Sequence, residues 1–209
     1  GVFVPQPPTG AFDRPGVIQY PNPAGAAWSQ PASLDPSLRV LPDGAVATGQ
    51  CTTHNDSDAG VNYTWQLLNA DGSLAWRRSA PAITGGQLGC YDIAADRQRN
   101  TYFAMNESDG IHVVSFAEDG SLRWESPLLP DGAAMSLYAD AVLGADGLLY
   151  MPLFNSFGTG FLSAIRRSTG AVEFSVPSGP VMRLDARPEG GVAAVTYNGE
   201  VTYYDSYGQ

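Results

Sequence analysis

The sequence predicts an all-β protein built from repeated four-stranded antiparallel units. The first observation is a fixed period, since a strand ending in an aromatic residue recurs at spacings of 48, 48 and 50: Trp28, Trp76, Trp124 and Phe174. The glycines that precede these aromatics keep nearly the same step: Gly25, Gly72, Gly120 and Gly170. The second observation is the absence of any sustained helical period, in a chain with 24 Gly and 16 Pro. A period of this length identifies the structural unit.

One complete unit, residues 38–76, contains four predicted strands. A first strand, a Pro-Asp-Gly turn and a second strand are followed by a polar loop, which spans residues 50–60. The third strand, residues 61–68, is rich in β-branched and aromatic residues, and an Asp-Gly turn joins it to a short last strand. Four short strands in 48 to 50 residues are typical of a β-propeller blade.

The same pattern divides the whole chain, residues 1–209, into a single propeller segment. The expected repeats are approximately 1–31, 32–79, 80–127, 128–177 and 178–209, of which the first and last are partial. The first repeat begins without a first strand, and the last ends without a fourth. We therefore expect a segment of a larger propeller whose other blades lie elsewhere, and a closed ring of four or five blades is the alternative.

The predicted third strands carry apolar residues on both faces. In one repeat Tyr63 and Trp65 lie opposite Leu68, and in the next Val113 lies opposite Val114. Strands that are covered on both faces lose the alternation of apolar and polar residues. The sequence therefore predicts blades that are packed between neighbouring blades, with the repeat aromatics in the interfaces.

The repeat resembles that of the quinoprotein-like β-propellers, which bind pyrroloquinoline quinone (PQQ) in their enzyme members. The matching segments are LLNADGSLAW, FAEDGSLRW, IRRSTGAVEF and, more weakly, YPNPAGAAW. The resemblance implies that Trp28, Trp76, Trp124 and Phe174 dock between neighbouring blades. Quinoprotein enzymes usually hold calcium, and some have a disulfide between adjacent cysteines, whereas Cys51 and Cys90 are far apart in this sequence. The resemblance thus implies the fold, which hosts many functions, and bound PQQ is not expected.

Composition excludes several classes of function. The formal net charge is −10, which argues against binding to nucleic acid or to anionic membrane surfaces. All 11 basic residues are arginines, so chemistry that needs a lysine is excluded within this chain. No apolar run approaches the length of a transmembrane helix, so we expect no membrane insertion.

The two cysteines suggest a disulfide. Cys51 is expected in the loop after a second strand, and Cys90 in the connection that leads to the next blade. Loops of these two kinds emerge on the same face of a propeller, so a Cys51–Cys90 bridge between adjacent blades is a coherent hypothesis, with two free thiols as the alternative. A bridge would indicate an oxidising compartment, so we expect a secreted, periplasmic or cell-surface protein.

Polar loops on the same face supply the candidate ligands. Short oxygen-bearing side chains of the kind that calcium prefers occur in two equivalent loops: Asp56, Asp58, Glu107 and Asp109. The same residue types also form ordinary surface turns. Other polar residues expected in or beside these loops define a candidate binding face: His54, Asp92, Asn155 and Arg183.

The sequence is interpreted as a non-catalytic extracellular or surface module for binding or scaffolding through its loop-rich face. One alternative is an enzyme, either a quinoprotein oxidoreductase or a carbohydrate-active propeller, whose site other blades complete. The other is a structural subunit whose open edges pair with a second polypeptide. A protein partner or further blades are expected, with carbohydrate as another ligand class. No catalytic residues are assigned, because the chain has only two histidines and no nucleophile motif.

Overall fold

The computed structural model describes residues 16–21, 27–32, 37–53, 61–83, 90–107, 110–127, 135–137, 140–155 and 159–209. For residues 16–37, and for 50–53, 61–62, 81–83, 90–93, 106–107, 135–137 and 155, only the backbone is described. The described part is all β, with strands gathered into successive antiparallel sheets. It contains no helix that could cross a membrane.

The first two sheets follow the predicted hairpins. Sheet 1 is the hairpin of β1 (Gly16–Pro21) and β2 (Ala27–Ala32). Sheet 2 has the strand order β3-β4-β5-β6. Its strands are β3 (Ser37–Val40), β4 (Val46–Thr53), β5 (Val61–Leu68) and β6 (Leu74–Ile83). Each strand pairs with the next strand along the chain, as in a propeller blade.

Sheets 3 and 4 repeat this arrangement. Sheet 3 contains β7 (Cys90–Ala95), β8 (Thr101–Glu107), β9 (Gly110–Phe116) and β10 (Leu122–Glu125). Sheet 4 contains β11 (Met135–Leu137), β12 (Val142–Leu143), β13 (Leu148–Asn155), β14 (Gly160–Arg166) and β15 (Val172–Pro177). Both β11 and β12 pair with β13, so the innermost strand of this sheet is interrupted.

Sheet 5 has three strands in the order β16-β17-β18. They are β16 (Val181–Ala186), β17 (Val192–Thr196) and β18 (Val201–Tyr204). The following turn is the same as the one that leads into the fourth strand of sheets 2 and 3. In sheet 2 the Asn69 amide donates to the Ser73 carbonyl, and in sheet 5 the Asp205 amide donates to the Gln209 carbonyl.

The sheets pack face against face, as propeller blades do. One apolar cluster joins sheets 2 and 3, a second joins sheets 3 and 4, and a third joins sheets 4 and 5. In the middle interface Tyr102 and Ile111 of sheet 3 are buried against Leu149 and Ile165 of sheet 4. Burial on both faces confirms the prediction from the third strands.

The repeating aromatics and glycines meet in these interfaces. A Cβ atom added to Gly120 would lie 2.6 Å from the ring of Trp76, and one added to Gly170 would lie 2.6 Å from the ring of Trp124. Gly208 lies against Phe174 in the same way. Each aromatic therefore docks on a glycine of the following repeat, which confirms what the family resemblance implied for three of the four aromatics. The side chain of Trp28 lies outside the described residues.

The structure corrects the expected positions of both cysteines. Cys51 lies within β4 and pairs with Tyr63 across the sheet, and Cys90 is the first residue of β7. The polar residues 50–53 continue the strand because β5, which is eight residues long, gives them backbone partners. The short last strand expected in sheet 2 is β6, which is ten residues long, and β11 lies in a segment expected to be a connection.

Candidate functional site

The face of sheet 5 that points away from sheet 4 is the candidate site. Along β17, Val192 and Ala194 are buried against Leu148 and Tyr150 of sheet 4. Because side chains alternate along a strand, Ala193 and Val195 point to the opposite side. We call this side the outer face.

Cross-strand pairs complete the outer face. Ala193 pairs with Tyr203 and with Asp185, and Val195 pairs with Val201 and with Arg183. Tyr197 continues the alternation beyond the end of β17. The outer face therefore consists of Arg183, Asp185, Ala193, Val195, Tyr197, Val201 and Tyr203.

The apolar residues of the outer face are open to solvent. Tyr197 is 72% exposed, Tyr203 is 61% exposed and Val201 is 54% exposed. Single exposed apolar residues are common on protein surfaces, but contiguous ones on one sheet face indicate a surface that binds something.

Charged groups border this apolar surface. The guanidinium carbon of Arg187 lies 5.3 Å from the centroid of the Tyr203 ring, within the range of a cation–π interaction. Arg187 also forms an ion pair with Glu189. Arginine and tyrosine are both enriched at the centres of protein interfaces, so the combination favours protein recognition.

Equivalent faces of the other sheets show how unusual the outer face is. The turn between the first two strands aligns the sheets, because the Gly144 amide donates to the Leu148 carbonyl and the Arg187 amide donates to the Gly191 carbonyl. Ala193 thus takes the position of Tyr150, and by the same bonds that of Tyr102 in sheet 3. Tyr150 and Tyr102 are fully buried beneath the next sheet.

The buried tyrosines are bound to carboxylates at the edge of each interface. The Tyr150 hydroxyl donates to Asp146 at 2.6 Å, and the same oxygen of Asp146 accepts a bond from the Gly191 amide of sheet 5 at 2.8 Å. Burial opposes the charge on Asp146, but the hydrogen bonds from Tyr150, Gly191 and Leu148 outweigh it and lower the pKa of this carboxyl. These groups hold two sheets together, so their partners are already supplied.

Sheet 3 has the corresponding pair. The Tyr102 hydroxyl donates to Asp96 at 2.9 Å, and Arg123 approaches the same hydroxyl at 3.3 Å. Burial, together with the nearby Asp96, raises the pKa of Tyr102 to about 12, although Arg123 acts in the opposite direction. The bound hydroxyl therefore stays neutral at physiological pH.

A small polar cleft of about 420 Å³ lies between sheets 4 and 5. It is lined by Asp146, Leu148, Arg166, Glu173, Ser206 and Tyr207. The Arg166 guanidinium donates to Glu173 at 2.6 Å, and Asp146 is occupied as described above. The cleft therefore offers paired charges rather than a free acid or base.

The residues predicted from the sequence are distributed as follows. His54, Asp56, Asp58 and Asp109 lie outside the described residues. The backbone of Asp92 lies in β7, Glu107 ends β8 and Asn155 ends β13, but their side chains lie outside the described part. Arg183 is described and exposed, and it lies on the outer face. Within the part of the chain that the structure describes, no group of three or more acidic, His or Cys side chains is placed to hold a metal ion.

The tyrosines of the outer face were missed as candidate residues. A signal was present, because three exposed tyrosines fall within the last 13 residues: Tyr197, Tyr203 and Tyr207. Interior strands of this protein are equally aromatic, so composition alone could not separate an exposed face from a buried one.

Comparison with known proteins supports the fold and no particular activity. No protein-family model matches the chain. No curated protein matches it either. The crystal structure of a protein of unknown function from Bacteroides caccae is similar at a TM-score of 0.53 and 13% identity, over 94% of this chain and 76% of that chain. At this identity the likeness concerns the fold alone.

A weaker match is the C-terminal WD40 domain of Sif2, with a TM-score of 0.39 and 11% identity. It covers 92% of this chain, which spans 62% of the length of that domain. A likeness of this strength carries no argument about the chain. The propeller-like arrangement therefore rests on the observed sheets themselves.

Proposed function

We propose that this chain is a non-catalytic binding module that engages another protein through the outer face of sheet 5. The observation that carries the proposal is the contrast between this face and its three counterparts. Sheets 2, 3 and 4 bury the equivalent face under a neighbouring sheet, whereas Tyr197, Val201 and Tyr203 are more than half exposed. Burying a tyrosine or valine side chain contributes roughly 1.5 to 3 kcal/mol, so this surface can bind strongly.

Site-specific photo-cross-linking in the organism that produces the protein tests this proposal. A benzophenone amino acid at position 197 should give a discrete adduct with a second protein. The matched control is the same probe at Leu122, which is 59% exposed on the last strand of sheet 3 and should give none. Val201→Asp should abolish the adduct at position 197 without changing the circular dichroism spectrum. Equal adducts from positions 197 and 122 would contradict a specific role for the outer face.

The proposal extends to the protein's location. We infer a secreted, periplasmic or surface protein with a Cys51–Cys90 disulfide. The support is that β4 and β7, which carry the two cysteines, lie against each other in adjacent sheets. Mass spectrometry before and after reduction, with thiol alkylation, should show a gain of two alkyl groups only after reduction. Alkylation of both cysteines in the unreduced, unfolded protein would exclude the bridge.

The finer family assignment, to the PQQ-like repeats, is supported by the glycine-on-aromatic contacts. These contacts are what the resemblance implies for the closing aromatic of each repeat, and they occur at Trp76, Trp124 and Phe174. Enzymatic activity gains no comparable support from the described residues.

A further inference from the structure

The free edge of β18 has a specific place in the repeat. Within the described part of the chain, β18 pairs only with β17. The turn after β18 matches the turns after β5 and β9, so β18 is a third strand. In each of the other sheets the third strand is flanked on this side by an antiparallel fourth strand: β6, β10 or β15.

The backbone of β18 is oriented to receive such a strand. The Thr196 amide donates to the Glu200 carbonyl and closes the β17–β18 hairpin. In an antiparallel pair the hydrogen-bonded positions alternate, so Thr202 and Tyr204 bond to β17 while Val201 and Tyr203 direct their backbone groups outward. An exposed row of unpaired N–H and C=O groups is a template for another strand.

The neighbouring sheets also indicate which side chain the added strand carries. The aromatic of each fourth strand lies opposite one position of the third strand, two residues before the turn. These pairs are Trp76 with Leu67, Trp124 with Ser115 and Phe174 with Ala164. The equivalent position in β18 is Tyr203.

Charge further restricts the occupant. Glu200 and Asp205 bracket β18 and are exposed, and the chain carries a net charge of −10. In sheet 2, Arg78 of the fourth strand pairs with Trp65, whose equivalent in β18 is Val201 beside Glu200. A strand with basic residues next to its aromatic therefore complements this edge, whereas a second copy of the chain would add ten further negative charges.

We propose that β18 binds an extended strand of a different polypeptide, added antiparallel to its free edge, with an aromatic residue opposite Tyr203 and basic residues beside it. Main-chain hydrogen bonds hold such a strand, and the aromatic provides specificity. The inference rests on the proposed function and adds the kind of partner and its geometry.

A fluorescent peptide with the sequence of residues 73–80, SLAWRRSA, is the probe, because it is the part of β6 that carries Trp76, Arg77 and Arg78. Fluorescence anisotropy should show saturable binding, and hydrogen exchange at residues 201 and 203 should slow when the peptide is present. A peptide with Trp76 replaced by alanine should bind at least about tenfold more weakly.

Two variants of the protein separate strand addition from side-chain contact. Tyr203→Ala keeps the outward N–H, so it should retain measurable binding. Tyr203→Pro removes that N–H without removing a hydrogen bond to β17, so it should abolish binding while circular dichroism confirms that the protein is folded. Equal affinity of the alanine and proline variants, or unchanged exchange at residues 201 and 203, would overturn the proposal.

Sedimentation of the protein alone distinguishes the occupants. A monomer is expected, and self-association that Tyr203→Pro abolishes would identify a second copy as the occupant and overturn the proposal. The two tests also fail separately. An adduct at position 197 without peptide binding refutes only strand addition, whereas peptide binding without any adduct refutes only the proposed cellular function.

Discussion

The interface between sheets 3 and 4 and the outer face of sheet 5 are built from the same kinds of residue and have opposite fates. In the interface Tyr102 is fully buried, its hydroxyl is bound to Asp96, and Trp124 lies on Gly170. On the outer face Tyr203 is 61% exposed and its ring contacts the guanidinium of Arg187. The difference teaches that an apolar strand in a repeat protein does not reveal whether a neighbour covers it.

The largest effect is expected from a methyl group placed in the sealed interface. Gly170→Ala would bring a Cβ atom within 2.6 Å of the Trp124 ring, at a residue with a φ of +77°. We expect a loss of about 3 kcal/mol or more in the free energy of unfolding, measured by urea denaturation, because overpacking adds to backbone strain.

Gly199→Ala is the matched control for this prediction. Gly199 has a φ of +79°, and an added Cβ atom would have no heavy atom within 4 Å. It should therefore cost only the backbone term, about 1 to 2 kcal/mol. Equal losses in the two variants would show that the Trp124 contact is unimportant.

A smaller effect should separate two tryptophans that occupy equivalent positions. The indole N–H of Trp124 donates to the Arg167 carbonyl at 2.8 Å, whereas that of Trp76 is buried without a hydrogen-bond partner. Trp124→Phe should therefore be more destabilising than Trp76→Phe by about 1 kcal/mol. The reverse order in urea denaturation would mean that packing outweighs the hydrogen bond.

The bound tyrosine in the interface predicts a dependence of stability on alkaline pH. The folded pKa of Tyr102 is raised from its usual value of 10.0 to about 12. A raised pKa stabilises the folded protein fully below pH 10, and this contribution is lost as the pH rises towards 12. Subtracting the unfolding free energies of Tyr102→Phe from those of the wild type should isolate that slope, and a flat difference would contradict it.

The smallest effect is expected on the open side of the comparison. Tyr197→Ser should change the free energy of unfolding by less than about 0.5 kcal/mol, because the side chain is 72% exposed. The same change should weaken any partner bound to the outer face. A loss of stability as large as that of an interface variant would show that a neighbour covers Tyr197 in solution.

Much of the fold could be predicted because the repeat is local. The Asp-Gly turns specify the hairpins, and in sheet 2 the Asp71 carboxylate accepts the Ser73 amide at 2.9 Å while Gly72 adopts a φ of +83°. The glycine and aromatic of each repeat are visible in the sequence, although their contact joins different repeats.

The rest depends on pairing between distant segments. The extension of β4 through Cys51 and of β6 to Ile83 follows from partners across the sheet, and β11 exists because β13 is long enough to pair with two short strands. Of the candidate site, only Arg183 was both predicted from the sequence and described with its side chain. The outer face could not be predicted, because Val201 and Tyr203 alternate like buried residues.

The contact of each aromatic with a glycine of the following repeat sets an order for folding during synthesis. Trp76 cannot be covered until residue 120 has left the ribosome, and Trp124 must wait for residue 170. The growing chain therefore always presents one unfinished aromatic edge at its most recently made sheet. A chaperone that recognises exposed aromatic strands would meet the same surface, renewed one repeat at a time, throughout translation.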